Sequence, residues 1–206
     1  MPSKRKASSQ PPPPGKRRRR SSADNDASEI SSSGFESDDE GADILSLEQE
    51  ILSSKKNYNK ITILLEDANP KENDDSRSLV AAVALCRVFI QLLGRGSLIF
   101  KTSSSDKDAV VVGWLRDQLR QLRATLLIHL SSLNTAMPAL ILCMRIIKAE
   151  SQFLHDGADY NFSRRFLEEV VSTILHSDDA EIRETFVTDF AGAYDDVRFY
   201  TFTSVQ

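Results

Sequence analysis

Residues 124–144 read ATLLIHLSSLNTAMPALILCM, and this stretch decides between a membrane span and a pair of helices. Its 21 residues carry no formal charge apart from a protonated His129, and that length would suffice to cross a bilayer. Polar residues and a proline interrupt it at the midpoint: Ser131, Ser132, Asn134, Thr135 and Pro138. We therefore predict two helices joined by a turn rather than a membrane span.

Helical periodicity continues on both sides of this turn. The preceding helix, from about Val110, carries a stripe of leucines: Leu115, Leu119, Leu122, Leu126, Leu130 and Leu133. Asn134 or Thr135 is expected to cap the following helix, with Pro138 in its first turn. That helix, from Ala139 to about Phe153, is apolar nearly all round, so we predict that neighbouring helices sandwich it.

Five further segments have apolar residues at spacings of three and four. They span residues 44–52, 61–68, 79–93, 166–175 and 182–190, with Leu175 and Val187 expected to face the core. The predicted N-caps are Asp43, then Asp74, Asp75 or Ser76, then Ser163, then Asp178 or Asp179. Gly94 is expected to close the third helix, and residues 96–108 to form a loop. Alternation of period two, typical of a strand, occurs only at residues 198–203.

These patterns predict an all-α fold in which consecutive antiparallel helices form a HEAT-like or irregular α-solenoid. No strict repeat length is visible in the sequence. The first 43 residues contain very few apolar side chains, too few to offset their chain entropy. We therefore predict a disordered tail over 1–43 and a helical domain over 44–206.

The tail is divided by charge. Residues 1–20 hold eight basic and no acidic side chains, whereas residues 21–50 hold ten acidic and no basic ones. The basic residues form two clusters on either side of a proline-rich spacer, as in a bipartite nuclear import signal read by an import carrier. They are Lys4, Arg5, Lys6, Lys16, Arg17, Arg18, Arg19 and Arg20. The alternative is a solvated tail or a general polyphosphate binder.

The acidic segment alternates serine with carboxylates. Ser37 is followed by acids at the next three positions, the pattern that acidophilic kinases recognise, so it is a candidate phosphorylation site. An unmodified solubilising linker explains the same composition equally well. Within the helical domain, Arg116, Arg120 and Arg123 share one helix face, with Lys107 nearby. They form a candidate surface for RNA phosphates or an acidic partner, or else a solvated face.

Catalytic patterns are not evident in the sequence. The only cysteines, Cys86 and Cys143, lie in apolar helical patterns, which suits a reducing compartment rather than a disulfide framework. His129, His155 and His176 are too widely spaced to place two metal ligands on one helix face. We therefore predict a protein that is not an enzyme, with no cofactor, no metal, no small-molecule substrate and no membrane association.

Four segments carry a resemblance to a known family. They are SLVAAVALCRVFIQLLGRGS at 78–97, VGWLR at 112–116, the helix at 138–154, and YDDVRFYTF at 194–202. Together they resemble the N-terminal helical part of the nucleolar complex-associated proteins, in the CCAAT-binding-factor family of ribosome assembly factors. The characteristic C-terminal domain of that family would follow Gln206, so the resemblance implies a chain truncated at its C-terminal end.

The resemblance implies a non-catalytic nucleolar scaffold in ribosome biogenesis. Such a component of the small-subunit processome would support 18S rRNA maturation and 40S subunit assembly and export. Its expected partners are a nucleolar assembly factor in a hetero-complex, the pre-ribosomal particle and the pre-rRNA backbone. Without the resemblance, a nuclear HEAT-like adaptor for protein cargo or chromatin partners would fit the same helices and the same import signal.

Overall fold

The structure is a computed structural model that describes residues 37–100, 106–154 and 162–204. All regular secondary structure in these residues is helical, which confirms the all-α prediction. The helices are α1 (Ser37–Ser53), α2 (Ile61–Asp67), α3 (Asp75–Gly94), α4 (Asp106–Leu130), α5 (Ala136–Phe153), α6 (Arg164–His176), α7 (Ala180–Thr185) and α8 (Asp195–Ser204). A 3₁₀ helix, Lys55–Lys60, joins α1 to α2, and a π-helical turn, Phe186–Ala191, continues α7.

Helix ends follow local side-chain chemistry. The carboxylate of Asp74 accepts a hydrogen bond from the backbone N–H of Ser76 at 3.2 Å, which caps α3. Asp179 caps α7 in the same way, through the N–H of Glu181 at 2.9 Å. These bonds satisfy N–H groups that have no partner in a helix's first turn. The N-cap of α3 is therefore the first of the three predicted candidates, and the N-cap of α7 is the second of the two.

The end of α3 differs from the prediction that Gly94 closes it. Gly94 is the last helical residue, and Gly96 supplies the left-handed backbone, with φ of 68°. The N–H of Gly96 donates to the carbonyl of Leu93, and the N–H of Ser97 donates to that of Leu92, both at 2.9 Å. This pair of bonds is a Schellman motif, which favours glycine at its left-handed position.

Two helices begin earlier than predicted. α1 starts at Ser37, so Asp43 lies inside it rather than capping it, and the helical part extends into the predicted tail. α4 starts at Asp106, ahead of the predicted Val110. Apolar periodicity locates only the turns that face the core, whereas both helices extend past their first buried residue. Residues 1–36 of the predicted tail lie outside the described residues.

The core centres on α3 and α5. α3 packs against α1, α2, α4 and α5, and α5 packs against α3, α4, α6 and α7. Neighbouring helices cover most of α5, as predicted, and its buried residues include Leu140, Leu142, Cys143, Met144, Ile146 and Ile147. Burial is not complete all round, because Ile141 faces solvent. The segment at 124–144 is indeed broken, because α4 ends at Leu130 and α5 begins at Ala136.

Among the described helices, α3 is long and apolar enough by composition to cross a membrane. More than half of its apolar window is buried against neighbouring helices. A core helix with partners on several sides has this same composition, because each of its faces must be apolar. In this structure α3 is such a core helix.

The two buried cysteines are unreactive thiols. Cys86 and Cys143 are both free thiols inside the core. Burial raises the pKa of Cys86 from 9.0 to about 12, with a smaller opposing effect from the positive charge of Arg145. Burial also raises the pKa of Cys143. Both side chains therefore remain protonated at neutral pH, and they pack as small apolar groups.

Several expected core residues are exposed instead. Leu133, in the turn between α4 and α5, and Leu175 and Val187, towards the C-terminal end, face solvent. The alternation at residues 198–203 belongs to α8, so the suggestion of a strand is wrong. Spacing of three and four identifies an apolar helix face, but the presence of a neighbour decides whether that face is covered.

Candidate functional site

The predicted arginine surface lies on α4, and each of its three side chains has a partner within the chain. Arg116 donates from Nε to the carbonyl oxygen of Leu98 at 2.8 Å. Its guanidinium carbon also lies 4.4 Å from the centre of the Phe100 ring. A guanidinium over an aromatic face gains a cation–π attraction. Arg116 thus attaches the segment that follows α3 to α4.

Arg123 belongs to a buried polar network. Its Nε donates to Oε1 of Glu150 at 2.8 Å, and Nη2 contacts the same oxygen. The Glu150 side chain is only 2% exposed, and its other oxygen accepts a hydrogen bond from Oγ of Ser163. The Arg123 guanidinium also covers the Phe166 ring at 5.1 Å. The network ties α4, α5 and the start of α6 together.

Arg120 is the most exposed of the three arginines. Its side chain is 70% exposed and pairs with Asp117 one turn earlier. An exposed ion pair of this kind contributes little to stability, so an external anion could replace Asp117 at small cost. Arg120 is therefore the residue through which the predicted surface is best placed to contact a ligand.

Sequence reasoning missed a pair of exposed cations on α5. Arg145 and Lys148 lie on the exposed face of α5, one turn apart and next to exposed Ile141. Neither forms an ion pair with any residue in the described part of the chain. The composition of α5 hid them, because its apolar residues predict burial all round. The spacing 141, 145 and 148 was the available signal, since these positions share one helix face.

An open groove lies between α6, the π-helical turn and α8. Its volume is about 300 Å³. The larger apolar residues that line it are Val171, Ile174, Leu175, Phe186, Val187 and Phe202. We call this feature the C-terminal groove. Leu175 and Val187 were expected in the core but are exposed here, so the groove is an apolar surface that no described helix covers.

Charge at the C-terminal groove has one sign. Arg183 and Arg198 line it, and no carboxylate among the described residues does. Arg183 donates to the carbonyl of Ser177, a neutral partner, and Arg198 pairs with the highly exposed Asp195 on its own helix.

Gly192 at the edge of the groove is required sterically, because an added Cβ would lie 2.9 Å from the carbonyl oxygen of Thr188.

The remaining predicted sites lie partly inside and partly outside the described residues. All eight residues of the import signal lie outside the described residues. Ser37 is the first residue of α1 rather than part of an extended tail. His129 is buried, with Nε2 at 2.9 Å from the carbonyl oxygen of Ala68, while His176 is exposed and His155 is outside the described ranges. In the portions that the structure describes, no three metal-ligating side chains converge.

Comparison with known proteins covers most of the chain. Residues 32–206 match the sequence profile of the family described as "Nucleolar complex protein 4-like, TPR repeats". An uncharacterized protein of Schizosaccharomyces pombe is 35% identical over 162 residues, which is 76% of this chain and 33% of that protein. Nucleolar complex protein 4 homolog B of Xenopus laevis is 26% identical over 188 residues, 84% of this chain and 35% of that protein.

The match agrees with the architecture. The family description specifies TPR repeats where the sequence suggested HEAT-like ones, and both are arrays of antiparallel helix pairs. The chain spans about a third of the length of the curated relatives that it matches. Its helical array and the profile match over 32–206 together show that the chain belongs to the nucleolar complex protein 4-like family.

Proposed function

We propose that this chain is a non-catalytic nucleolar scaffold in ribosome biogenesis. The observation that carries the proposal is the family match over residues 32–206, together with the name of the Xenopus relative, a nucleolar complex protein. A helical array presents long exposed faces, which suit several weak contacts in an assembly that must later come apart. Within this role, we assign the chain to the small-subunit processome, where it supports 18S rRNA maturation and 40S subunit assembly and export.

The proposed partners are a nucleolar assembly factor and the pre-ribosomal particle. Direct contact with RNA would use the phosphate backbone, because Arg120, Arg145 and Lys148 present exposed positive charges that attract phosphate groups. An import carrier is the proposed partner of the basic clusters at the N-terminus. No small-molecule substrate or cofactor has a part in this function.

Purification of the tagged chain from cells, followed by sequencing of the RNA that copurifies, tests the scaffold role. We expect precursors of 18S rRNA to be enriched over a tag-only control. Copurification of proteins without pre-rRNA would instead support the nuclear adaptor for protein cargo or chromatin partners. Depletion of the protein should also lower the ratio of 40S to 60S subunits in a sucrose gradient.

The import signal predicts a change in location. Replacement of Lys16–Arg20 by alanines should shift a fluorescent fusion towards the cytoplasm, because an import carrier recognises both basic clusters. Folding should be unaffected, since the replaced residues precede the described helices. Fusion of residues 1–20 alone to a fluorescent protein is the control, because it cannot enter bound to a partner of the helical array. Nuclear accumulation of the alanine version of that short fusion would contradict the prediction.

Arg120 provides a test of the arginine surface. Arg120→Gln removes an exposed charge, so we expect unchanged stability and a salt slope of RNA binding that is shallower by about 0.7–0.9. Arg165→Gln on α6 is the matched control, because Arg165 is also highly exposed and has only a loose ion pair, at 3.6 Å. Filter binding over a range of salt concentrations measures both. Equal slopes for the two variants would show that Arg120 contacts no phosphate.

Arg116 and Arg123 are unsuitable for that test. Their side chains hold the fold through Leu98 and Glu150, so replacing them would change stability together with any binding. If Arg120→Gln leaves RNA binding unchanged but removes a protein from the purified complex, the surface serves an acidic partner.

A further inference from the structure

The C-terminal groove is the place where the packing of the array is incomplete. α3, α4 and α5 each pack against three or more other helices, whereas α8 packs against α6 and the π-helical turn. The outer residues Leu175, Val187 and Phe202 remain exposed, and Val187 is 60% exposed. Exposed apolar side chains that line a shared concave surface, rather than being scattered singly, mark an interaction site.

The shape of the groove fits a helix. Two helices, α6 and α8, form its walls, and a third helix packs between two others by placing side chains into such a depression. A volume of about 300 Å³ accommodates two or three large apolar side chains. Apolar anchors at positions i, i+3 or i+4, and i+7 of one helix provide that number.

The charged residues of the groove indicate which side chains would flank the apolar face of a bound helix. The charged residues lining the groove are Arg183 and Arg198, and the positive charge of Arg183 faces only a carbonyl among the described residues. Arg198 shares its charge with a highly exposed aspartate, a pair that an incoming carboxylate could replace cheaply. A helix with acidic residues beside its apolar face is complementary to this arrangement.

We infer that the C-terminal groove binds an amphipathic, acid-flanked helix contributed by another protein of the assembly. The inference rests on the proposed scaffold function and supplies the chemistry of one of its protein contacts. A second copy of this chain is a different occupant, and crosslinking distinguishes it from a partner protein.

Site-specific photocrosslinking tests the inference. The photoreactive residue p-benzoylphenylalanine is placed at Val187, or at Leu133 as the control, because Leu133 is an exposed apolar residue away from the groove. We expect position 187 to crosslink to a segment of another protein with apolar residues at helical spacing and flanking carboxylates. Position 133 should not capture that segment. Crosslinks between two copies of this chain, or the same products at both positions, would overturn the inference.

Binding of the captured segment as a synthetic peptide provides the quantitative test. Val187→Glu should weaken its affinity at least tenfold, and Arg198→Gln should weaken it and reduce its dependence on salt. Leu133→Glu should change the affinity less than twofold. Equal affinities for the Val187→Glu and Leu133→Glu chains would overturn the inference, as would the absence of any crosslink from p-benzoylphenylalanine at position 187. Either failure leaves the proposed function standing if the same wild-type chain copurifies pre-rRNA.

Discussion

Ile146→Asp is expected to abolish cooperative folding of the helical array. Ile146 is fully buried on α5, which packs against helices on several sides. A carboxylate there would lose its hydration without gaining a partner, at a cost of about 4 kcal/mol or more. The total stability of a typical domain is about 5–15 kcal/mol. Loss of the sigmoidal transition in a melt followed by circular dichroism, together with aggregation, would show this effect.

Ile141→Asp is the matched control for that experiment. Ile141 is the same residue type on the same helix, but it is 43% exposed. An aspartate at this position stays hydrated, so we expect a loss of stability below about 1 kcal/mol. Similar melting curves for the two variants would contradict the central position of α5.

Glu150→Ala is expected to have the second largest effect. Its removal leaves the Arg123 charge largely buried without a counter-charge and removes the acceptor of the Ser163 hydroxyl. Breaking a buried ion pair from one side costs about 3–5 kcal/mol, and partial exposure of Arg123 places the expected loss near the lower figure. Chemical denaturation monitored by circular dichroism measures the change.

Two further variants identify the cause of that loss. Glu168→Ala breaks an exposed pair with Arg164 one turn away on α6 and should cost less than about 1 kcal/mol. The double variant Arg123→Met with Glu150→Leu removes both buried charges and should recover most of the stability that Glu150→Ala loses. Failure of the double variant to recover stability would show that the shape of the site, rather than charge compensation, is what matters.

The arginine surface shows where sequence reasoning stops. Positions 116, 120 and 123 share a helix face, which the sequence predicts because helical spacing is a local property. Among nearby residues, only Asp117 suggests itself as a partner. The counter-charge of Arg123 is Glu150, 27 residues further along the chain and on another helix. Spacing within one helix contains no information about that contact.

The C-terminal groove could not be predicted from the sequence for the same reason. The sequence identifies Leu175 and Val187 correctly as parts of apolar helix faces. Whether such a face is buried depends on the position of another helix, and the structure leaves these two residues exposed. The residues that line the C-terminal groove are therefore visible in the sequence, but their common role as an open surface is not.

Local interactions explain what the sequence determined by itself. The helical class, the break between residues 130 and 136 and the capping segments at 74–76 and 178–179 depend on periodicity and on contacts within a few residues. The tertiary structure alone decided which faces of α5 are covered and which arginines bond to groups within the fold. It also decided where the helical array leaves apolar surface exposed. These depend on contacts between helices distant in the chain, whose energies come from burial and charge pairing.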